Sequence, residues 1–191
     1  MEKTLEQQPS TCLKVVLFGP ESTGKTTLAR QLAEHFQTVW VPEYMREYLE
    51  KKWNDTNEKI EKIDLEPIAF GQMRAENIGS KKANRLLFCD TNLLEIKVYS
   101  EYYYNGFCPS AIKEAALHNT YDLYFLTYID TPWVLDNLRD RPDDRSGLFC
   151  IFEAELKRLN LPYRTLKGSN SERLNIAIKE IQKLLKQKSR C

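Results

Sequence analysis

The chain has 191 residues, 28 of them Lys or Arg and 27 Asp or Glu, for a net charge of +1. That length suits one domain with a substantial core, and 42% hydrophobic with 29% charged residues is ordinary for a soluble globular protein. The near-neutral balance argues against a broad nucleic-acid surface, and no apolar run approaches the roughly 20 residues that span a bilayer.

The first twelve residues, "MEKTLEQQPSTC", are polar, carry acids and lack an apolar core. They are no secretory signal, so residues 1–12 are expected as a flexible tail on a cytoplasmic protein. A short β-branched run, "LKVVLF" (13–18), reads as a buried strand. It leads into "GPESTGKT", in which Gly19 and Gly24 frame the spacing G-x-x-x-x-G-K-[ST] completed by Lys25 and Thr26. A phosphate chain needs several backbone N–H groups turned toward one point, and glycine permits those turns at little steric cost. Lys25 adds a point charge for the outer phosphates, and the Thr26 hydroxyl suits Mg²⁺. Gly19, Glu21, Ser22, Thr23, Gly24, Lys25, Thr26 and Thr27 are therefore the nucleotide-binding candidates, with Lys25 also catalytic. Leu28, Leu32 and Phe36 recur every fourth residue beyond them, with Ala29 and Ala33 alongside, as on a helix packed against a sheet. Its N-terminus favours an anion.

The second strand, "TVWV" (38–41), runs into "VPEYMREYLEKKW". Glu43 is the candidate base that would take the proton of a phosphoryl acceptor; it is equally a first-turn glutamate favoured by the helix dipole. Tyr44 is placed to stack on a planar base or to pack, and Arg46 to contact phosphate or to pair with an acid. Glu47 and Tyr48 add an acid and an aromatic. The charged stretch "KKWNDTNEKIEKIDLEP" (51–67) reads as a solvated loop or frayed helix. The third strand, "RLLFCD" (85–90), carries Cys89 as a small core residue and ends in Asp90. A carboxylate at the tip of an apolar strand near a P-loop suits Mg²⁺, directly or through water; the competing reading makes it the N-cap of the next helix.

After the fourth strand, "DLYFLTY" (122–128), comes "DNLRDRPDDRSG" (136–147), where Arg139, Arg141 and Arg145 are interleaved with aspartates. This composition fits a short lid whose arginines close over the phosphates, or a solvated, self-paired charge cluster. In the lid reading Arg139 stacks on adenine, while Arg141 and Arg145 reach the transferring phosphoryl group. A fifth strand, "YRTL" (163–166), and a helix from about Ser171 to Lys188 with Leu174, Ala177, Ile178, Ile181 and Leu185 on one face complete the chain. Strand alternating with helix predicts an α/β domain with a parallel sheet, spanning 13–188, with ligands at the carboxyl ends of the strands. Five scattered cysteines without a C-x-x-C pair argue against a disulfide framework and a zinc site. His35 and His118, near helix ends, read as surface or capping groups.

Taken together, "FGPESTGKTTLARQLAEHF", "EYMREYLE", "FCDTNLLEIKVYSEYYYNG", the arginine-bearing segment and "LNLPYRTLKG" resemble P-loop kinases of small molecules. Among these they resemble the ribosylnicotinamide kinase domain of NadR-type proteins, an AAA-type ATPase family. The resemblance implies a three-layer P-loop NTPase fold with sheet order 2-3-1-4-5, ATP as donor, Mg²⁺ held by Thr26 and Asp90, and nicotinamide riboside as acceptor. It places Glu43, Tyr44, Arg46, Glu47, Asp90 and Asn92 on the substrate side. A monophosphate acceptor would instead call on arginines such as Arg46 and Arg74. The alternatives are another nucleoside or nucleoside-monophosphate kinase, and a P-loop ATPase with no small-molecule acceptor. The expected partner is a small nucleoside, with neither nucleic acid nor membrane.

Overall fold

The computed structural model describes residues 4–132 and 144–188. Strands β1 (Leu13–Phe18), β2 (Val39–Val41), β3 (Leu86–Asp90), β4 (Leu123–Thr127) and β5 (Tyr163–Leu166) form one parallel sheet of order β2-β3-β1-β4-β5, as expected. Their boundaries fall within a residue of the sequence reading. Apolar residues run without interruption along the central strands because both faces are covered. Val15, Leu17, Phe88 and Phe125 face α1 (Lys25–His35) and α7 (Asn170–Lys188). Val16, Phe18, Leu87, Cys89, Tyr124 and Leu126 face the opposite layer. That layer holds α2 (Tyr44–Thr56), α3 (Leu65–Lys82), α4 (Leu93–Tyr103), α5 (Ser110–His118) and α6 (Arg145–Arg158).

Three expectations change. The charged stretch 51–67 is ordered: α2 runs to Thr56, and a 3-10 turn, Lys62–Asp64, leads into α3. Asp64 is the reason, because it is buried and accepts from Tyr48 Oη (2.9 Å), Lys52 Nζ (2.7 Å) and the Glu61 amide (2.7 Å). Residues expected as a tail dock on α3 and the start of β4: Leu5 is buried. Gln7 Nε2 donates to Glu76 Oε1 at 2.9 Å and to the Thr120 carbonyl at 3.1 Å. The end of the expected lid is helical, since α6 begins at Arg145; Arg139 and Arg141 lie outside the described residues.

Helix α3 meets α2 at Gly71, where an added Cβ would come within 1.9 Å of the Tyr44 ring. Helix propensity alone would make Gly71→Ala stabilising by about 1 kcal/mol. Overpacking against the tyrosine reverses the sign, so the variant is expected to lose about 1–3 kcal/mol in urea unfolding, and a Tyr44→Ala second change is expected to recover much of it.

Candidate functional site

The parallel register decides where the chemistry-bearing groups meet. Leu17 of β1 pairs with Asp90 of β3, and Phe18 with Leu126 of β4, so the loop leaving β1 is flanked by the ends of its neighbours. That loop turns through two glycines with positive φ, Gly19 (+132°) and Gly24 (+83°). A Cβ on Gly19 would also sit 2.9 Å from Thr127 Oγ1. Gly24 is the N-cap of α1, whose first turn carries no acid, leaving the helix N-terminus open to an anion.

The loop is braced from three sides. Thr23 Oγ1 donates to the Pro20 carbonyl (2.7 Å) and shares a 2.7 Å hydrogen bond with Thr127 Oγ1. Arg145, at the head of α6, donates to the Ser22 carbonyl (3.1 Å) and the Thr131 carbonyl (3.0 Å). Arg173 of α7, buried, donates to the Thr23 (2.7 Å), Tyr128 (2.9 Å) and Gly168 (2.9 Å) carbonyls and pairs with Asp130. Sequence reading missed Arg173, although its position four residues before Ala177 places a cation on the buried face of α7.

Lys25 is nearly buried. Its ammonium donates to the Gly19 (2.7 Å) and Pro20 (3.0 Å) carbonyls and pairs with Glu95 Oε1 at 3.1 Å. Glu95 also receives the Gly19 N–H on Oε2 at 3.4 Å. It, too, was not singled out in the sequence. It stands three residues after Asn92, the spacing of a capping box, and that ordinary reading hides its real orientation toward the P-loop. Asn92 is the N-cap of α4, accepting from the Glu95 amide at 3.2 Å, and donates through Nδ2 to Tyr124 Oη at 3.2 Å. The cap is thus Asn92, which resolves the competing reading of Asp90. Thr91 takes φ +76° between them, a costly backbone for a β-branched residue that lets Asp90 and Asn92 serve different partners.

Asp90 accepts the Thr26 hydroxyl on Oδ2 at 2.5 Å, and its buried Oδ1 has no hydrogen-bond partner among the described residues. An orphaned carboxylate oxygen beside a hydroxyl fits a hard cation such as Mg²⁺. No group of three or more His, Cys, Asp and Glu among the described residues could hold a metal, so phosphate and water would supply the remaining ligands. Burial, reinforced by the nearby Glu43 charge, raises Asp90 to about 6. Burial likewise raises Glu95 to about 8, against the pull of Lys25.

A cavity of about 400 Å³ opens beside this cradle. Residues Glu21–Thr27 line one wall; Glu43, Met45, Arg46 and Leu49 from α2 line another. Tyr99, Ser100, Tyr103 and Tyr104, from α4 and its end, close the third. Arg46 forms a partly exposed 3.7 Å pair with Glu50. Tyr44, Glu47 and Asn92 do not line the cavity. Tyr44 is turned onto α3, where its amide donates to Gln72 Oε1 (2.8 Å); Glu47 is exposed; Asn92 is spent on the α4 cap. The aromatic wall comes instead from Tyr99, Tyr103 and Tyr104 of "VYSEYYYNG", a run whose tyrosines gave no sequence signal to separate surface from site.

These features define a P-loop nucleotide-binding domain. The profile of the AAA domain family matches residues 14–173, and the chain belongs to that family. It is similar to the trifunctional NAD biosynthesis/regulator protein NadR of Salmonella typhimurium, with 28% identity over 170 residues covering 86% of this chain and 40% of the relative. NadR of Escherichia coli is 31% identical over 137 residues, 70% of this chain and 32% of the relative. The chain thus spans well under half the length of these relatives. Among solved structures, a NadR protein in complex with NR superposes with a TM-score of 0.72 at 20% identity, over 91% of this chain and 51% of that one. Thymidylate kinase from Ehrlichia chaffeensis gives 0.61 at 17% identity, over 93% of this chain and 100% of that one. The resemblance to NadR-type proteins and the fold it implied are borne out. Among the described residues, no helix is long and apolar enough to cross a membrane.

The crowding of Glu43, Asp90 and Glu95 around one lysine sets a pH dependence. An acid whose folded pKa is raised holds its proton in the folded state after the unfolded chain has lost it. Stability of the ligand-free domain therefore falls as pH rises, through Asp90 from about 3.8 to about 6 and through Glu95 from 4.5 to about 8. Asp90→Asn removes the first contribution. Its Tm relative to wild type, measured without divalent ions, is expected to rise between pH 4 and pH 7 by the equivalent of about 1–3 kcal/mol and then level off. A difference independent of pH would show that Asp90 carries no such cost.

Proposed function

We propose that the domain transfers the γ-phosphoryl group of ATP to the 5′-hydroxyl of nicotinamide riboside, giving nicotinamide mononucleotide. The observation that carries this reading is the continuity of the cavity from the P-loop to walls that bring Glu43 and the tyrosines Tyr99, Tyr103 and Tyr104 together. Two substrates can share it, one anionic at the α1 N-terminus and one planar and cationic against aromatic faces. The relatives' names point the same way, as does the NR bound in a protein of the same fold.

In this reading Lys25 leaves Glu95 for the outer phosphates, and the backbone amides from Glu21 to Thr27 cradle the rest. Thr26 and Asp90 would hold Mg²⁺, which neutralises charge on the phosphates. Glu43, half-buried at the head of α2, orients the acceptor hydroxyl and takes its proton. Arg145 and Arg173 hold the loop by its carbonyls, so that its N–H groups stay directed at the ligand. Arg145 acts by positioning in this arrangement rather than by reaching the transferred group. Tyr103 and Tyr104 offer faces for the base, a role the sequence had suggested for Tyr44.

A coupled assay of ATP consumption over a panel of nucleosides and monophosphates tests the acceptor. Nicotinamide riboside is expected to give the highest kcat/KM. A preference for a monophosphate, or ATP turnover that ignores every added acceptor, would overturn the proposal. Within the same assay, Glu43→Gln is expected to lower kcat by about 10²–10⁴ with the KM for ATP little changed; a variant within twofold of wild type removes Glu43 from the base role. Lys25→Ala is expected to abolish turnover nearly completely.

A further inference from the structure

One side of α4 joins the two halves of the cavity. Glu95, Tyr99 and Tyr103 follow one another at intervals of four residues, so they share a face. Glu95 touches Lys25 at the P-loop end, whereas Tyr99 and Tyr103 line the cavity. From Glu95 to Tyr103 the face advances about 12 Å, the length scale of a nucleoside. The two rings are stacked, with centroids 6.0 Å apart and an interplanar angle of 21°. Tyr99 is held from behind by Phe152, edge-on at 5.2 Å.

The Tyr99 hydroxyl is buried yet has no hydrogen-bond partner among the described residues. A buried polar group left unmade costs about 1–3 kcal/mol, and the other buried tyrosine hydroxyls here are matched: Tyr121 donates to Glu76 at 2.8 Å, and Tyr124 receives Asn92 at 3.2 Å. The fold has no use for the Tyr99 oxygen, and the ring alone would pack as well in a phenylalanine. We propose that Tyr99 is a specificity-determining residue whose hydroxyl donates a hydrogen bond to a sugar oxygen of the phosphoryl acceptor, which makes the site select ribosides over deoxyribosides. This rests on the riboside reading above. Burial, with the carboxylates of Glu95, Glu21 and Glu43 nearby, pushes the phenol well above its usual range, so it enters as a donor. Tyr99 lines the same cavity as Glu21 and Glu43, and the riboside reading brings the reacting hydroxyl to Glu43. The sugar lies there, and the base reaches on to Tyr103 and Tyr104. A site built to hydrogen-bond a substrate hydroxyl rejects the analogue that lacks it, because its own donor is then left unpaired.

The test is Tyr99→Phe, which deletes one oxygen and keeps the ring. Thermal unfolding of the ligand-free variant is expected at the wild-type temperature or above it, since an unsatisfied hydroxyl is removed. Kinetics are compared on the best riboside of the panel and on its 2′-deoxy and 3′-deoxy analogues. Wild type is expected to discriminate against at least one analogue by about 10-fold or more in kcat/KM; the variant is expected to raise the riboside KM by a similar factor, leave the KM for ATP unchanged and lose that discrimination. A variant that keeps the riboside KM and the discrimination overturns the inference while leaving the kinase reading intact. A Tm drop of several degrees overturns it too, by showing that the hydroxyl serves the fold. If wild type turns over no riboside at all, the riboside reading itself fails, and this inference with it.

Discussion

The site depends on the parallel register between β1 and β3. Leu17 lies opposite Asp90, so the carboxylate ends its strand where the P-loop begins, and α1 then returns Thr26 to within 2.5 Å of it. The alternation of a strand allows no tolerance here. A slip of one residue would turn Asp90 to the other face of the sheet, toward the layer that holds Cys89, and would bury its charge among apolar groups. The two apolar layers, α1 and α7 on one side and the remaining helices on the other, fix that register by needing every β1 and β3 side chain on its own face. The core and the chemistry are specified by the same pairing.

Charge within the cradle is arranged against the fold's own interest. One lysine answers three carboxylates, and one carboxylate oxygen and one tyrosine hydroxyl are buried without partners among the described residues. Elsewhere the buried ions are satisfied. Lys97 reaches Glu101 and Glu155 at 2.8 Å each, and Lys14 meets Glu76 at 2.9 Å. Local rules of polar satisfaction are commonly broken at functional sites and kept around them. The contrast between the two sets of buried charges separates site from scaffold without reference to any relative.

Much of this was legible in the sequence, and the omissions have a common cause. Strands and the P-loop could be read because their signals are local: β-branched runs, a fixed glycine spacing, an apolar stripe at four-residue intervals. Asp90 was legible because an acid ending an apolar strand is anomalous. Glu95 was not, since a capping-box position offers it an ordinary explanation; Arg173 was not, since its spacing to Ala177 puts it on the buried face of α7 but names no partner for it. Their burial becomes visible only when α4 and α7 are laid beside the P-loop. Tyr44 went the other way: its position after β2 suggested the ligand, but the missing side chain at Gly71 draws the ring onto α3. The stretch 51–67 looked solvated because its charges outnumber its apolar residues, yet a single buried aspartate with three donors orders the turn that joins two helices.

The docking of the amino-terminal segment has a practical side. Leu5 and Gln7 are held at Asn119 and Thr120, just before β4 begins, whereas the P-loop follows the end of β1, at the opposite end of the parallel strands. An anchor attached ahead of Leu5 would therefore leave from the pole away from the cavity mouth. Tethered by that end to a bead or sensor chip, the domain would present its nucleotide entrance to the flowing solution rather than to the support.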